Sequence, residues 1–388
     1  GMFTIPLMKS VGYKPYFAGA VEAVASTGGQ IMPPVMGAAA FIMAEFLGVP
    51  YIQVAMAAIV PALLYYFAVI VQVHFEATRL GLKGLPREKL PKIWPLLKTK
   101  GHLLIPLIAI VYFLLSGFTP LKAAYNGILA TLIVSFFNKE TRMTFPKLKD
   151  ALDSGARGAL GVACACATVG IIVGTATLTG LGLRIASAII TLSGGILIVS
   201  LMLTMVACIL LGAGLPTTAN FIVTSTMAAP ALLQLGVAPM AAYMFVLYFG
   251  IAADLSPPVA LAAYAGAGIA GDDPMKTGGT AIKLALAGFL VPYIYVYNPM
   301  LVLVGFEPIP FVISIGTALL GVFLLGVGSI GFYKVHMPLW LRGIAVAGAL
   351  NLLVPGVYSD AIGFAILVGI HLIQVRRARA SNNPVASS

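Results

Sequence analysis

The chain has 388 residues, 60% hydrophobic and 9% charged, with a mean hydropathy of +1.02 and a net charge of +11. Soluble domains carry roughly 25% charged residues, and 23 basic plus 12 acidic side chains cannot supply a polar skin for a soluble fold of this length. A soluble enzyme, a nucleic-acid binder and a secreted disulfide scaffold are thereby excluded, leaving a polytopic helical protein of the lipid bilayer whose continuous apolar segments also disfavour a β-barrel.

The sequence predicts helix throughout. Residues 16–47 form a segment broken at TGGQIMPP, followed by a span at about 50–77. A basic loop carries Arg79, Lys83, Arg87, Lys89, Lys92, Lys98 and Lys100. Two spans, about 101–117 and 119–137, make a tight hairpin, and a second basic loop carries Lys139, Arg142, Lys147 and Lys149. A span at about 153–178 precedes a mildly amphipathic, interfacial stretch at 180–193. Residues 196–235 are apolar but interrupted by GAGLPTTAN, and residues 239–270 are broken at ADLSPP. Spans at about 279–299, 309–330, 339–355 and 359–375 follow, and a disordered tail is expected at 376–388. The cysteines, Cys164, Cys166 and Cys208, lie in apolar stretches; Cys164 and Cys166 point to different faces of one helix, so no disulfide framework or metal site is expected.

The chain contains an internal repeat. An offset of 224 residues aligns Pro6 with Pro230, Gly12 with Gly236, Pro15 with Pro239, Pro33 and Pro34 with Pro257 and Pro258, and Pro50 with Pro274. Proline and glycine set backbone geometry, so the coincidence concerns conformation and not only hydrophobicity. Basic loops face the cytoplasm. Counting crossings from them makes 16–47 run outward and 239–270 inward, provided 196–235 enters from outside, turns at GAGLPTT and returns. The chain is therefore divided as 1–78 (returning arm of a first hairpin, broken helix and span), 79–150 (basic loops and scaffold hairpin), 151–300 (second, inverted repeat with re-entrant hairpin 196–235 and broken helix 239–270), 301–375 (extra spans) and 376–388. The hairpin tip lies about 41 residues before Pro257, and the same distance before Pro33 falls ahead of Gly1. The first tip is thus expected in sequence preceding this chain.

Inverted repeats with interrupted helices at the midplane are the architecture of secondary transporters. Irregular backbone at that depth is tolerated only where protein or a water-filled cavity satisfies it. Proline pairs free carbonyls, good ligands for a hard cation, while half-helix N-termini favour a carboxylate. The candidate residues are Thr27, Gly28, Gly29, Gln30, Pro33 and Pro34 at the first break, with Ser26 beside them. Gly212, Gly214, Pro216, Thr217, Thr218 and Asn220 belong to the hairpin tip, and Asp254, Ser256, Pro257 and Pro258 to the second break. A kink that only aids packing is the plainer alternative for the proline pairs, as is hydroxyl-to-backbone bonding for the two threonines. Asp254 is the deepest acid and a functional candidate on that ground, to be weighed against a carboxylate tied to backbone N–H groups. Glu22 and Glu45 read as interfacial. No nucleophile elbow, phosphate loop or metal-ligand pair occurs, so an enzyme is not expected.

The stretches FTIPLMKSVGY, EAVASTGGQIMPPVMGAAAFIMAEFLGVPY, LLGAGLPTTAN and GIAADLSPPVALAAYAGAGIAGDDPMKTG resemble the large membrane subunit of TRAP transporters, the tripartite ATP-independent periplasmic transporters. The nearest likeness is to the C-terminal portion of fused permeases that serve TAXI-type binding proteins. The resemblance implies an all-α elevator-type secondary importer in the bacterial or archaeal cytoplasmic (inner) membrane. It implies Na⁺ as the coupling ion, no other cofactor, an organic acid substrate, a periplasmic substrate-binding protein, and a small membrane subunit or fused N-terminal spans as partners. It also implies that 27–34, 212–220 and 254–258 form the cation and substrate sites. A channel and a proton-coupled transporter are the alternatives.

Overall fold

The computed structural model describes residues 1–84, 92–137, 142–257, 259–354 and 356–382. Arg87, Lys89, Lys139, Pro258 and the tail beyond 382 lie outside the described residues. Helices α1 (Thr4–Val11), α2 (Pro15–Gly28), α3 (Ala38–Leu47) and α4 (Tyr51–Arg79) make the first copy of the repeat. Next come α5 (Ile93–Lys100), α6 (Ile105–Leu115), α7 (Pro120–Ser135), α8 (Phe145–Leu178) and α9 (Leu181–Ser193). The hairpin consists of α10 (Leu197–Gly212), α11 (Thr217–Met227) and α12 (Ala229–Gln234). The second copy continues through α13 (Pro239–Ala252), α14 (Leu261–Ala270), α15 (Pro274–Phe289) and α16 (Val291–Tyr297). Helices α17 (Pro308–Ile330), α18 (Leu339–Leu353) and α19 (Val357–Asn382) close the chain. Among the described residues, six helical stretches are long and apolar enough to cross a membrane; the two broken helices and the hairpin arms are shorter.

The repeat appears in the backbone at residue resolution. Helices α2 and α13 both have 14 residues, begin on a proline at the first helical position, and are related by the sequence offset. That proline is tolerated because its N–H would be orphaned anyway. The turns before them use equivalent donors and acceptors. Gly12 and Gly236 take left-handed φ of 113° and 80°. The N–H of Tyr13 donates to Met8 O at 3.1 Å, and the N–H of Val237 to Leu232 O at 3.1 Å. This is the Schellman arrangement, in which glycine supplies the left-handed residue that stops a helix.

The two broken helices run antiparallel. The start of α2 lies beside the end of α14: the Tyr16 N–H donates to Asp272 Oδ2 at 2.9 Å, and Lys9 Nζ to Ala270 O at 2.6 Å. The end of α3 lies beside the start of α13, where the Phe46 and Tyr243 rings meet at 6.3 Å. Each half-helix thus packs on the opposite half of its partner, as an inverted pair requires. Helices α2 and α14 cross so closely that a Cβ at Gly19 would sit 2.9 Å from Gly266 O. At the α14–α15 turn, the Asp273 N–H, with the Tyr16 N–H behind it, holds the Asp272 carboxyl below the usual carboxylate range. Its contribution to stability is present at neutral pH and is lost as the pH falls through that lowered value.

Helix α13 sits at the centre. It is apolar on all sides, the pattern of a wholly buried helix, and Met244 to Ala252 are all buried. The Phe245 and Phe249 rings meet at a tilt, 4.7 Å apart, and Tyr293 closes on both. Gln72, fully buried on α4, donates to Leu284 O at 2.6 Å and clamps α4 to α15. The span expected at about 279–299 is two helices, α15 and α16, because Pro292 cannot donate to the preceding turn. The expected disordered tail is corrected over 376–382, which continue α19. The Arg377 guanidinium lies 5.7 Å from the Trp340 ring, and cations at a helix C-terminus complement its dipole.

Helices α10 and α11 pack on each other, and a hairpin that enters and leaves on one side is expected to put Gly195 and Leu235, at its outer ends, on the same side of the membrane. Single cysteines placed there should react with the same impermeant maleimide from the periplasmic side. Labelling from opposite sides would mean that 196–235 crosses the bilayer.

Candidate functional site

The first break spans the nine residues between α2 and α3, and tyrosines of α4 satisfy what it leaves open. Tyr65 Oη donates to Val24 O at 2.8 Å and Tyr66 Oη to Ala25 O at 2.9 Å, the carbonyls at the end of α2. Tyr51 Oη donates to Pro34 O at 2.8 Å. The Gly37 N–H donates to Gln30 O at 2.8 Å and closes the loop on itself. The Tyr65 ring fits a slot between two glycines: a Cβ at either Gly28 or Gly288 would lie 2.4 Å from it. Thr27 and Gly28 are buried, Gln30 and Pro33 half-buried, Gly29 and Pro34 exposed.

At the hairpin tip, Ala213, Gly214 and Pro216 are exposed and Thr217 and Thr218 half-buried. Gly212 is buried against Asn220, where a Cβ would lie 2.3 Å from Nδ2, so the arms close only over glycine. Asn220 Nδ2 donates to Gly250 O at 2.6 Å, tying the hairpin to α13 one turn before the second break. Asn220 Oδ1 and Thr204 Oγ1 are buried acceptors without a donor among the described residues. Thr218 Oγ1 takes a weak bond from Cys166 Sγ at 3.8 Å, linking the tip to α8.

At the second break, a short 3-10 turn at Ala253–Leu255 ends α13. Ser256 Oγ donates to Ala252 O at 3.0 Å, and Pro257 is half-buried. The Asp254 side chain is half-buried and has no hydrogen-bond or ion-pair partner among the described residues. The alternative of a carboxylate tied to backbone N–H groups therefore has no support there. Ala260 takes a left-handed φ of 36° before α14 begins.

The three elements form one chain of contacts. A Cβ at Gly214 would touch the Val259 side chain, placing the tip against the second break. The two breaks face each other across a small cavity. Thr27, Gly28 and Ile31 line one side, Ile251, Ala252 and Leu255 the other, and Tyr65, Tyr248 and Phe289 close it. Tyr248 Oη and Tyr295 Oη, both buried in this region, have no partner among the described residues. Gln30, Pro33, Asp254 and Ser256 do not line that cavity. Helices α3, α11 and α14 each begin at one of these elements, with N–H groups that the helix itself leaves unpaired. Backbone carbonyls, hydroxyls and one carboxylate are hard oxygen donors, while helix N-termini favour anions.

The tyrosines Tyr51, Tyr65 and Tyr66 escaped sequence reasoning, although a Tyr–Tyr pair in the middle of an aliphatic span is the signal that could have exposed them. Glu22, expected at the interface, accepts from Thr4 Oγ1 and Ser26 Oγ, beside the first break. Glu45 is exposed near the end of α3.

Removing the hydroxyl of Tyr65 leaves the Val24 carbonyl without that donor in a buried site. Tyr65→Phe should lower stability by about 1–3 kcal/mol, read as a fall in the unfolding midpoint in detergent. Gly288→Val should cost more, because the ring has nowhere to move. Unchanged midpoints in both variants would show that the slot does not hold the break.

No curated protein gave a match to the chain. The family profile described as Tripartite ATP-independent periplasmic transporter, DctM component, matches residues 1–309, which hold both copies of the repeat, both breaks and the hairpin. Its reach over most of the chain agrees with the inverted fold and the interrupted helices: this protein belongs to the DctM component family of tripartite ATP-independent periplasmic transporters.

Proposed function

We propose that this chain is the part of a secondary importer that carries an organic acid across the cytoplasmic membrane, coupled to Na⁺. The observation that carries the reading is the Asp254 carboxylate. It is half-buried at a helix break, without a partner among the described residues, and its break meets the hairpin tip and faces the other break. An ionisable group at membrane depth is expensive and belongs to a pathway or a coupling site. Freed carbonyls, Asn220 Oδ1 and the hydroxyls of Thr27, Thr217 and Thr218 supply the oxygen set that a hard monovalent cation prefers. The N-termini of α3, α11 and α14 supply N–H groups for a substrate carboxylate.

The substrate would arrive from a periplasmic binding protein, and a small membrane subunit or further spans would complete the assembly. Carriage follows if the paired breaks and the tip move as a body against a scaffold that includes α6 and α7, which pack chiefly on each other. Coupling is thermodynamic: the ion orders the breaks that the substrate then finds ordered, and each raises the affinity for the other.

Asp254→Asn in the assembled transporter should reduce Na⁺-dependent, binding-protein-dependent uptake by roughly tenfold or more, the scale set by one lost charged interaction. Glu45→Gln should leave uptake near the parent value. Unaltered uptake and Na⁺ dependence in Asp254→Asn would reduce that carboxylate to a structural group.

A further inference from the structure

A groove of about 620 Å³ opens sideways between α4, α17 and the turn that follows α17. Its apolar walls are Phe67, Ile70, Val71, Phe75 and Phe323, and Ile70 is 63% exposed. The inner end is built from aromatic rings. Phe75, Phe323 and Tyr333 pack mutually at centroid distances of 5.5–6.0 Å. Tyr333 Oη shares a hydrogen bond of 2.8 Å with His371 Nδ1 of α19, which fixes the ring. The mouth carries one lysine ammonium and one imidazole. Lys334 and His74 line it, both exposed, and neither has an ion-pair or hydrogen-bond partner among the described residues. Among the described residues, no Asp or Glu lines the groove. Glu76, next to Phe75 on α4, is buried and spent on Arg79 at 2.6 Å. The same end of the molecule carries Arg79 and, on α19, Arg376, Arg377 and Arg379, the basic clustering of a cytoplasmic face.

We propose that this groove holds one anionic phospholipid of the cytoplasmic leaflet. An acyl chain lies along Ile70, Val71 and Phe323, and the phosphate is held at Lys334 and His74. Charge complementarity selects the occupant: an apolar slot with an unpaired ammonium at headgroup depth fits a lipid phosphate better than a zwitterion, whose own cation competes. The size falls within the range of small-molecule sites. The groove joins α4, within the transporter repeat, to the α17–α18 turn, beyond the residues that the family profile covers. The lipid thus bridges the common portion and the C-terminal spans.

Native mass spectrometry of the full chain, titrated with palmitoyl-oleoyl phosphatidylglycerol or its phosphatidylcholine counterpart, tests the proposal. One phosphatidylglycerol should be retained in preference to phosphatidylcholine. Lys334→Gln should weaken that retention by roughly fivefold, the value of one lysine at a membrane surface, and leave phosphatidylcholine unchanged. Ile70→Trp, on an exposed position, should fill the groove and abolish the preference. Lys122→Gln, at the far end of the molecule, should have no effect. Equal retention of the two lipids, or equal losses in Lys334→Gln and Lys122→Gln, would overturn the site in favour of diffuse charge attraction. Competition by inorganic phosphate at concentrations matching the lipid would overturn the lipid as occupant.

Discussion

Backbone polar groups cannot go unpaired in a hydrocarbon setting, and the rest of the structure depends on how the interrupted helices meet that constraint. Each orphaned group there costs several kcal/mol. The first break is made tolerable by donors from α4, where Tyr51, Tyr65 and Tyr66 reach across to carbonyls that a continuous helix would have paired internally. The second is closed from within, by Ser256 onto Ala252 and by the 3-10 turn around Asp254. The hairpin is held by an amide, Asn220, onto Gly250. Two of the side chains that reach these groups are accommodated by glycine. Gly28 and Gly288 make the slot for Tyr65, and Gly212 makes the space for Asn220.

This unequal treatment of two related breaks has a functional sense. The repeat gives the same backbone course twice, down to the Gly12 and Gly236 turns. The side chains around it differ. At one crossing Gly19 and Gly266 bring backbones together, while at the symmetric crossing Phe46 and Tyr243 hold them apart. Only the second copy places a carboxylate at its break: the position in the first copy that matches Asp254 is Gln30, a neutral amide. On the proposed function, halves alike in outline would allow two facings, and halves unlike in chemistry would treat ion and substrate differently.

Much of the fold was legible in the sequence. Proline and glycine dictate conformation independently of neighbours, so the coincidence of Pro15 with Pro239 and of Gly12 with Gly236 carried directly into helix starts and turns. The antiparallel course of the broken helices followed from charge in the loops, because basic residues resist translocation. The donors that quiet the first break were not legible, since Tyr65 is distant in sequence from Val24 and only tertiary packing brings them together. The same holds for Gln72 on Leu284 and for the small cavity between the breaks. The end of α19 was misread because a polar, basic run was judged by composition alone, without Trp340 as a partner for Arg377.

The account's central claim is that paired breaks carry substrate by coupling it to an ion. Initial uptake in proteoliposomes of the assembled transporter, measured with the Na⁺ gradient imposed and then collapsed at constant membrane potential, tests it most directly. The account predicts saturable uptake that stops when the gradient is removed. Flux that continues without the gradient and rises linearly with substrate would contradict it and identify an open pore through the same helices.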